Sequence, residues 1–548
     1  MRQLGLALLL LLTASIATLA VHRQTLSYGF DYDDYHFVHP YSRADVFRAF
    51  HAPWDAAGIE RPYYRPLTIA FYAARFEIFG INATAQHALS LVLFGAVAML
   101  AGWFVLRLSG SAAMAVLTIL FYVVHPAMPY SVIAWVTNQM HLIASLIILS
   151  ALIWWDAVRN RSVVWWLPLL GFAGAAFLIK EDGIMLLPCI LVLHTIRGGT
   201  GDERLSPVPR LFIVASGGLL LLLMAIRALA LSSAPPIRSP SIELALHNYF
   251  HGLNGVVRLV PADRRWQLAA SWFVSLAPVA AMLMWRRLSP GARLTLLSGL
   301  AIALLFNVPF VFITKAEQMH VVALGAVLVL AAACAGLIEA TRRGDVRSIV
   351  LAACAAGIVC LGAVARDIAR DFEPYGPVVR AHDEMVRGWM AVPLELREYL
   401  TRKNSLPGAG RLPADPSIAL DAVSFGLHEP ERSGEGTAYR WMTGQRTEML
   451  ISNRARTVTI PLRHAIEVFR QPTRARITAD GRLVDEILFD TSEWRMSATA
   501  LRPTRAAWLT RMHRIVIEVD HDWRPADIIP GSQDGRTLGL QVGALQVR

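Results

Sequence analysis

The chain is short of charge, of lysine and of cysteine. Asp, Glu, Lys and Arg together make up 17% of its 548 residues, against about 25% in an average soluble protein. The deficit is uneven: residues 1–365 carry repeated apolar runs, whereas residues 366–548 have an ordinary soluble texture. Lysine occurs only at 180, 315 and 403, and every other basic side chain is arginine. The four cysteines, Cys189, Cys334, Cys354 and Cys360, lie in apolar runs and form no CxxC pair. A cysteine-based zinc site is therefore not expected, and the soluble part must hold together without disulfides. The net charge of +11 would suit nucleic acid in a soluble protein. Here basic loops flanking membrane segments account for part of it, and no nucleic-acid partner is expected.

The apolar runs divide into about eleven spans near the ~20 residues needed to cross hydrocarbon. They cover roughly 4–21, 87–106, 111–128, 139–156, 162–179, 183–196, 209–231, 268–285, 293–313, 320–339 and 348–365. The first resembles a signal peptide, but its apolar stretch is long for one and the later segments need a first span, so a retained helix is expected. With the N-terminus cytoplasmic, the inside connections hold Arg107, Arg159, Arg161, Arg197, Arg204, Arg210, Arg286, Arg287, Arg293, Arg342, Arg343 and Arg347. The short outside connections at 129–138 and 180–182 hold only Lys180. That asymmetry is the positive-inside pattern. It places residues 22–86, 232–267 and 366–548 outside. Within the first outside loop, 43–54 and 64–80 have helical spacing of apolar residues and read as helices along the membrane surface, the second starting at Pro66.

Polar groups recur at the outer edges of the spans: Asp31, Asp33 and Asp34 in "GFDYDDYHFVHP", Arg65, His125, Lys180 with Glu181 and Asp182, and Lys315, Glu317 and His320. One such group alone is an ordinary interfacial anchor; several on one side point to a shared polar cavity. Carboxylates beside cations suit transfer from a phosphate-linked donor to a hydroxyl. A carboxylate takes the hydroxyl proton, and Arg or Lys stabilises the departing phosphate. On a strand Asp31 and Asp33 share a face; on a helix Asp31 and Asp34 do. Asp33 and Asp34 would contribute to a divalent ion site (Mg or Mn), but two carboxylates alone do not complete one.

The stretches "YDDYHFVHP", "YYRPLTIAFYAARFEIFGINATAQHALSLVLF", "VVHPAMPYSVIAWVTNQMHLIASL", "FLIKEDGIMLLP" and "AEQMHVVAL" resemble, in order over most of residues 28–330, the signatures of GT-C membrane glycosyltransferases. They look most like the branch with the TPR-carrying O-mannosyltransferases and their bacterial relatives. The resemblance implies inverting transfer from a polyprenyl-phosphate sugar on the outer face of a bacterial inner membrane. It puts the catalytic acid on Asp33 or Asp34, the Arg-Pro signature on Arg65-Pro66 and the Lys-Glu pair on Lys180-Glu181. In "AEQMH", Glu317 is kept but Gln318 stands where relatives carry Arg, so Lys315 or His320 would substitute in holding the donor phosphate. His125, Glu181, Glu317 and His320 take supporting roles. No TPR pattern follows, so protein O-mannosylation is not implied.

Residues 366–418 read as a helical connector and a linker rich in Pro and Gly. From 419 onward, short segments of period-2 character, including "RTVTIPLRHA" and "HRIVIEVDHDW", predict a periplasmic β-sandwich, and "ADGR" (479–482) predicts a hairpin turn. The pieces "SFGLHEPE", "TAYRWMTGQ" and "DGRTLGL" resemble a β-domain attached to bacterial surface-polysaccharide glycosyltransferases. That implies glycan binding through Trp441, Trp494 or Trp523. The expectation is a polytopic α-helical membrane protein of GT-C fold with an extracytoplasmic all-β domain. It would move a sugar from a polyprenyl-phosphate donor to a hydroxyl of a cell-envelope glycan, lipid or polymer. A flippase for a lipid-linked sugar would show charges deep in its spans and internal repeats, and neither is evident. A non-catalytic scaffold would lack the first-loop acids, which are present.

Overall fold

The computed structural model describes residues 2–28, 34–53, 63–125, 135–200, 207–232, 241–257, 265–311, 320–341, 344–371, 422–432, 438–510 and 512–548. Of the expected connector and linker, 366–418, residues 366–371 end the helix Gly344–Asp371 and the rest lie outside the described residues. The chain divides into two compact units. One gathers Met1–Tyr28, Ser42–Tyr72 and Gln86–Pro374; the other gathers Gly29–Tyr41, Ala73–Ala85 and Tyr375–Arg548.

The first unit is helical. Seven helices among the described residues are long and apolar enough to cross a membrane: Gln3–Ser27, Ala83–Ser109, Val136–Val158, Glu181–Gly199, Arg210–Ala230, Pro290–Val311 and His320–Glu339. Shorter apolar helices, Ala112–Val124, Val163–Ile179, Trp272–Leu283 and Ser348–Leu361, stand where the other four spans were expected. By length and composition seven crossings are supported and the count of eleven is not established, although two of these four stretches lie within the longer helices Arg265–Leu283 and Gly344–Asp371. In the expected first outside loop, Arg43–Arg48 and Pro66–Phe79 are helical, the latter starting at Pro66 as expected.

Small residues let the helix backbones meet, which drives packing where lipid tails remove the hydrophobic incentive. A Cβ on Gly325 would lie 2.5 Å from the Ala303 backbone nitrogen, and one on Gly299 would lie 2.7 Å from the Gly325 carbonyl oxygen. These glycines seat Pro290–Phe306 against His320–Ala340. Other helices keep apolar faces uncovered: Leu211, Val214, Leu221 and Leu229 of Arg210–Ala230 are exposed, as a lipid-facing surface requires.

Asp156, 1% exposed near the end of Gln139–Val158, closes one end of this bundle. It accepts from Arg107 at 2.7 Å and from Arg159 at 3.0 Å, and it forms an ion pair with Arg197 at 2.9 Å. These arginines come from Ala83–Ser109, from the residue after Gln139–Val158, and from Leu186–Thr200. Three arginines assigned from sequence to one side of the membrane therefore share one carboxylate.

In the second unit, residues 422–547 form eleven strands: β1 (Ala422–Phe425), β2 (Leu427–Arg432), β3 (Ala438–Met442), β4 (Arg446–Ser452), β5 (Thr457–Arg463), β6 (Thr473–Ala479), β7 (Arg482–Phe489), β8 (Arg495–Ala500), β9 (Met512–Val519), β10 (Gln541–Gly543) and β11 (Gln546–Val547). One antiparallel sheet runs β1-β4-β9-β6-β7; the other runs β11-β5-β10-β3-β2, with β8 on the far edge of β5. Alternate residues face inward. Val458, Ile460 and Leu462 of β5 pack with Ile477 of β6 and Ile515 and Ile517 of β9, all fully buried, in one core between the sheets. The turn at 480–481 has φ of +49° at Asp480 and +78° at Gly481, as a tight hairpin needs. Within this unit the Arg514 side chain grips Glu448 on β4 (Nε to Oε1 2.5 Å, Nη2 to Oε2 2.9 Å) and also donates to Glu77 of Pro66–Phe79.

Two outcomes follow from buried polar groups. Asp156→Ala strands three partly buried guanidiniums, and thermal unfolding in detergent is expected to show a loss of about 3–5 kcal/mol. A change within about 0.5 kcal/mol, as for an ordinary surface substitution, would remove Asp156 from this structural role. In the β-domain, burial holds the His464 imidazole below its ordinary pKa, with Glu467 and Asp520 partly offsetting it. A depressed histidine pKa contributes stability above about pH 6.5 that is lost as pH falls through the folded value. Protection factors of the β6 amides, whose first residue Thr473 bonds His464 at 3.0 Å, should fall as pH is lowered from 7.5 to 5.5. His464→Gln should flatten that dependence.

Candidate functional site

The polar centre of the helical unit is built on one turn. Helix Pro168–Ile179 stops at Lys180, whose backbone turns extended, and a tight 3-10 turn, Glu181–Met185, folds back on it. Gly183 makes this possible: a Cβ there would lie 2.4 Å from the Ala176 carbonyl carbon. The fold-back turns Lys180, Glu181 and Asp182 inward. Lys180 donates to Asp182 at 2.9 Å, and both side chains are 3% or less exposed. The Lys180 ammonium also lies 5.3 Å from the centre of the Phe310 ring, a cation–π contact.

Arg65 reaches the same turn. Its residue precedes Pro66 and so favours an extended backbone, leaving the side chain clear of the helix that follows. The guanidinium engages Glu181 Oε2 through Nε at 2.9 Å and Nη2 at 2.8 Å. It stacks 4.3 Å from the Tyr63 ring centre and touches the Met140 sulfur at 3.6 Å. Burial alone would lower the Arg65 pKa, and Glu181 together with Tyr63 and Tyr72 more than offsets it, so the guanidinium is held charged. Helix Pro66–Phe79 is tied alongside, with Thr68 donating to the Ile179 carbonyl at 2.7 Å and Tyr72 to the Thr137 carbonyl at 2.5 Å.

A histidine cluster adjoins the turn. His320 Nε2 and Nδ1 lie 2.5 Å from the Tyr122 hydroxyl and 2.8 Å from the Ser145 hydroxyl. A neutral imidazole donates from one nitrogen and accepts at the other, so one hydroxyl donates to the ring and the other accepts from it. His141 is within electrostatic reach of Lys180, His320 and Arg65, and His320 of Lys180 and His125. The His141 Nδ1 has no hydrogen-bond partner among the described residues. Arg65, His125, His141, Lys180, Glu181, Asp182 and His320 thus form one connected group, buried except for the Glu181 side chain, which is 21% exposed.

Six residues singled out from sequence are brought together here: Arg65, His125, Lys180, Glu181, Asp182 and His320. Asp34 is fully buried, opens the short helix Asp34–Phe37, and belongs to the other compact unit. Asp33, Lys315 and Glu317 lie outside the described residues. Sequence reasoning missed His141, Tyr122 and Ser145. His141 and Ser145 sit within a quoted signature and could have been flagged, whereas Tyr122 stands in an apolar run with no local signal. Among the described residues no three His, Cys, Asp or Glu side chains could hold a metal ion. In the β-domain, Trp441 and Trp523 are each 7% exposed and pack edge-to-face in a small core with Phe469. Their faces are taken up by packing rather than offered to a sugar. Trp494 remains half-buried.

Chemically, two buried cations, each carrying its own carboxylate, present fixed positive charge where water is largely excluded. Such charges act strongly on negative charge that develops nearby.

Residues 60–226, which hold Arg65, His141, Lys180 and Glu181, match the family model described as dolichyl-phosphate-mannose-protein mannosyltransferase. No curated protein matches the chain. Among solved structures, an oligosaccharyltransferase of Archaeoglobus fulgidus, tethered to an acceptor peptide containing an NVT sequon, is 10% identical. That match covers 66% of this chain and 55% of that one, with a TM-score of 0.40. The arabinosyltransferase EmbB of Mycobacterium smegmatis is 12% identical over 99% of this chain and 64% of its own, with a TM-score of 0.29. The chain therefore spans less than two thirds of either protein. The segment matched by the family model is thus the one that supplies Arg65, His141, Lys180 and Glu181 to the buried cationic group.

Proposed function

We propose that the chain moves a sugar from a polyprenyl-phosphate donor to a hydroxyl of a cell-envelope glycan, lipid or polymer on the periplasmic face of a bacterial inner membrane, with inversion. The observation that carries the reading is the buried pairing of Arg65 with Glu181 and Lys180 with Asp182 in one turn. In the step proposed, the acceptor oxygen attacks the anomeric carbon while Asp33 or Asp34 takes its proton. The bond from that carbon to the phosphate oxygen breaks, and the electron pair leaves with the lipid phosphate. The donor is a phosphodiester with one negative charge, and the departing monoester gains a second. Arg65 and Lys180 therefore favour the transition state over the bound donor, which is what raises a rate. His320, held by Tyr122 and Ser145, and His141 line the same group. Lys315 is proposed to join them from the segment before His320.

Two sets of variants test this. Asp33→Asn and Asp34→Asn are each made in full-length protein, with surface glycans and lipid A compared between cells with and without the protein to identify the transferred sugar. At least one variant is expected to lose about 10²–10⁴ in transfer rate while folded protein persists in membranes. Full activity in both would sink the catalytic assignment. Arg65→Lys keeps the charge but loses the two-nitrogen grip on Glu181. Its transfer is expected to fall at least tenfold with the thermal transition retained; an unchanged rate would remove Arg65 from the donor site.

A further inference from the structure

His141 carries an open hydrogen-bonding position within the buried polar group of the helical unit. It stands in the first turn of helix Gln139–Val158 and is 2% exposed. Its Nδ1 is buried and has no hydrogen-bond partner among the described residues. The polar side chains around it are engaged. Both nitrogens of His320 are taken, one by the Tyr122 hydroxyl and the other by the Ser145 hydroxyl. The Gln139 amide, two residues before His141, donates to the Gln86 carbonyl and the Ser90 hydroxyl, both at 2.8 Å. Arg65 and Lys180 each hold a carboxylate. Asp182 Oδ1 also lacks a partner among the described residues, but a carboxylate oxygen only accepts and cannot hold an anion.

A buried imidazole nitrogen left unpaired costs free energy that packing alone does not return. The surroundings of His141 select what would pair it. The ring is within electrostatic reach of Arg65 and Lys180. It also sits at the N-terminal end of a 20-residue helix, where aligned peptide dipoles concentrate positive charge. A neutral imidazole with its proton on Nδ1 donates there. An open N–H among positive charges suits an oxyanion, and the doubly charged oxygens of a phosphate monoester most of all.

We propose that His141 Nδ1 donates a hydrogen bond to the phosphate of the lipid-linked donor and of the lipid monophosphate that leaves, an uncharged third contact beside Arg65 and Lys180. His320, with both nitrogens committed to hydroxyls, is a positioning residue. The inference rests on the lipid-phosphate donor proposed above and assigns that donor a contact within the helical unit.

The test measures binding of undecaprenyl monophosphate to the full chain in detergent, with thermal unfolding recorded on each variant. His141→Leu removes the nitrogen and keeps an apolar side chain of similar bulk. It is expected to weaken binding about tenfold or more, with a thermal transition no lower than that of the unsubstituted chain, because an unpaired buried polar group has gone. His141→Asn places an amide N–H close to the Nδ1 position and is expected to bind within about threefold of the unsubstituted chain. His141→Gln, whose amide reaches the Nε2 position instead, is expected to lose binding as Leu does. Equal binding by the Leu variant and the unsubstituted chain overturns the His141 contact and leaves the donor reading standing. A loss that Asn does not recover overturns it as well. No binding of undecaprenyl monophosphate by the unsubstituted chain overturns the donor reading, and this inference with it. Equal competition by inorganic phosphate or by phosphatidylglycerol overturns the lipid-linked donor as the source of the phosphate. Should His141→Leu not fold, the contrast between Asn and Gln decides.

Discussion

A cation taken out of water must bring its counter-charge with it, and that constraint organises the helical unit. The desolvation cost of a single buried guanidinium or ammonium is several kcal/mol. Lys180 and Arg65 are both about 3% exposed, and neither could be held there alone. The Glu181–Met185 turn supplies both carboxylates from adjacent residues, and it can do so only because Gly183 lets the turn lie against the backbone of Ala176. Once the charges are paired, their positions are no longer free. The turn, the start of helix Pro66–Phe79 and the end of helix Pro168–Ile179 become one rigid frame, braced by Thr68 and Tyr72. A frame already rigid need not reorganise when negative charge develops beside it, which is the condition for electrostatic stabilisation.

The other end of the same bundle obeys the same rule with the signs reversed. There a single carboxylate, Asp156, is buried and three arginines gather around it. Helix Gln139–Val158 joins the two ends, with Met140 touching Arg65 near its start and Asp156 near its finish. At 20 residues, about 30 Å, it matches the hydrocarbon thickness. Polar groups thus sit near the two surfaces, where their cost is lowest, and the middle of the helix is left to packing.

How much of this could be read in the residues follows from the range over which each signal acts. Local signals were legible. The Pro66 helix start, the Asp480-Gly481 hairpin and the alternation of Ile515, Ile517 and Val519 each depend on residues a few positions apart, and each is present. Runs of apolar residues marked where helices stand, but not whether each is long enough to cross, because helix ends are set by turns such as the one at Gly183. Charge next to a span was visible as well, so Arg65, Lys180 and Glu181 were singled out. What was not legible is pairing across the fold. Nothing near Tyr122 or Ser145 announces that both meet His320, 198 and 175 residues away, and nothing near Asp156 announces its arginines. Trp441 and Trp523 show the converse error, because an aromatic ring has the same sequence signal whether it packs in a core or faces a ligand.

The boundary of the C-terminal unit illustrates the same limit. Texture placed its β-part at 419, and the strands do begin at Ala422. Yet the compact unit also takes in Gly29–Tyr41 and Ala73–Ala85, and the reason is electrostatic rather than compositional. Glu448 is 2% exposed on β4, where a lone carboxylate would be costly. Arg514 answers it from the neighbouring strand, and the remaining donors of that guanidinium reach Glu77. One arginine therefore satisfies the sheet and holds a piece of the first loop with it. That is a use of the planar guanidinium fork that a lysine's single ammonium could not reproduce.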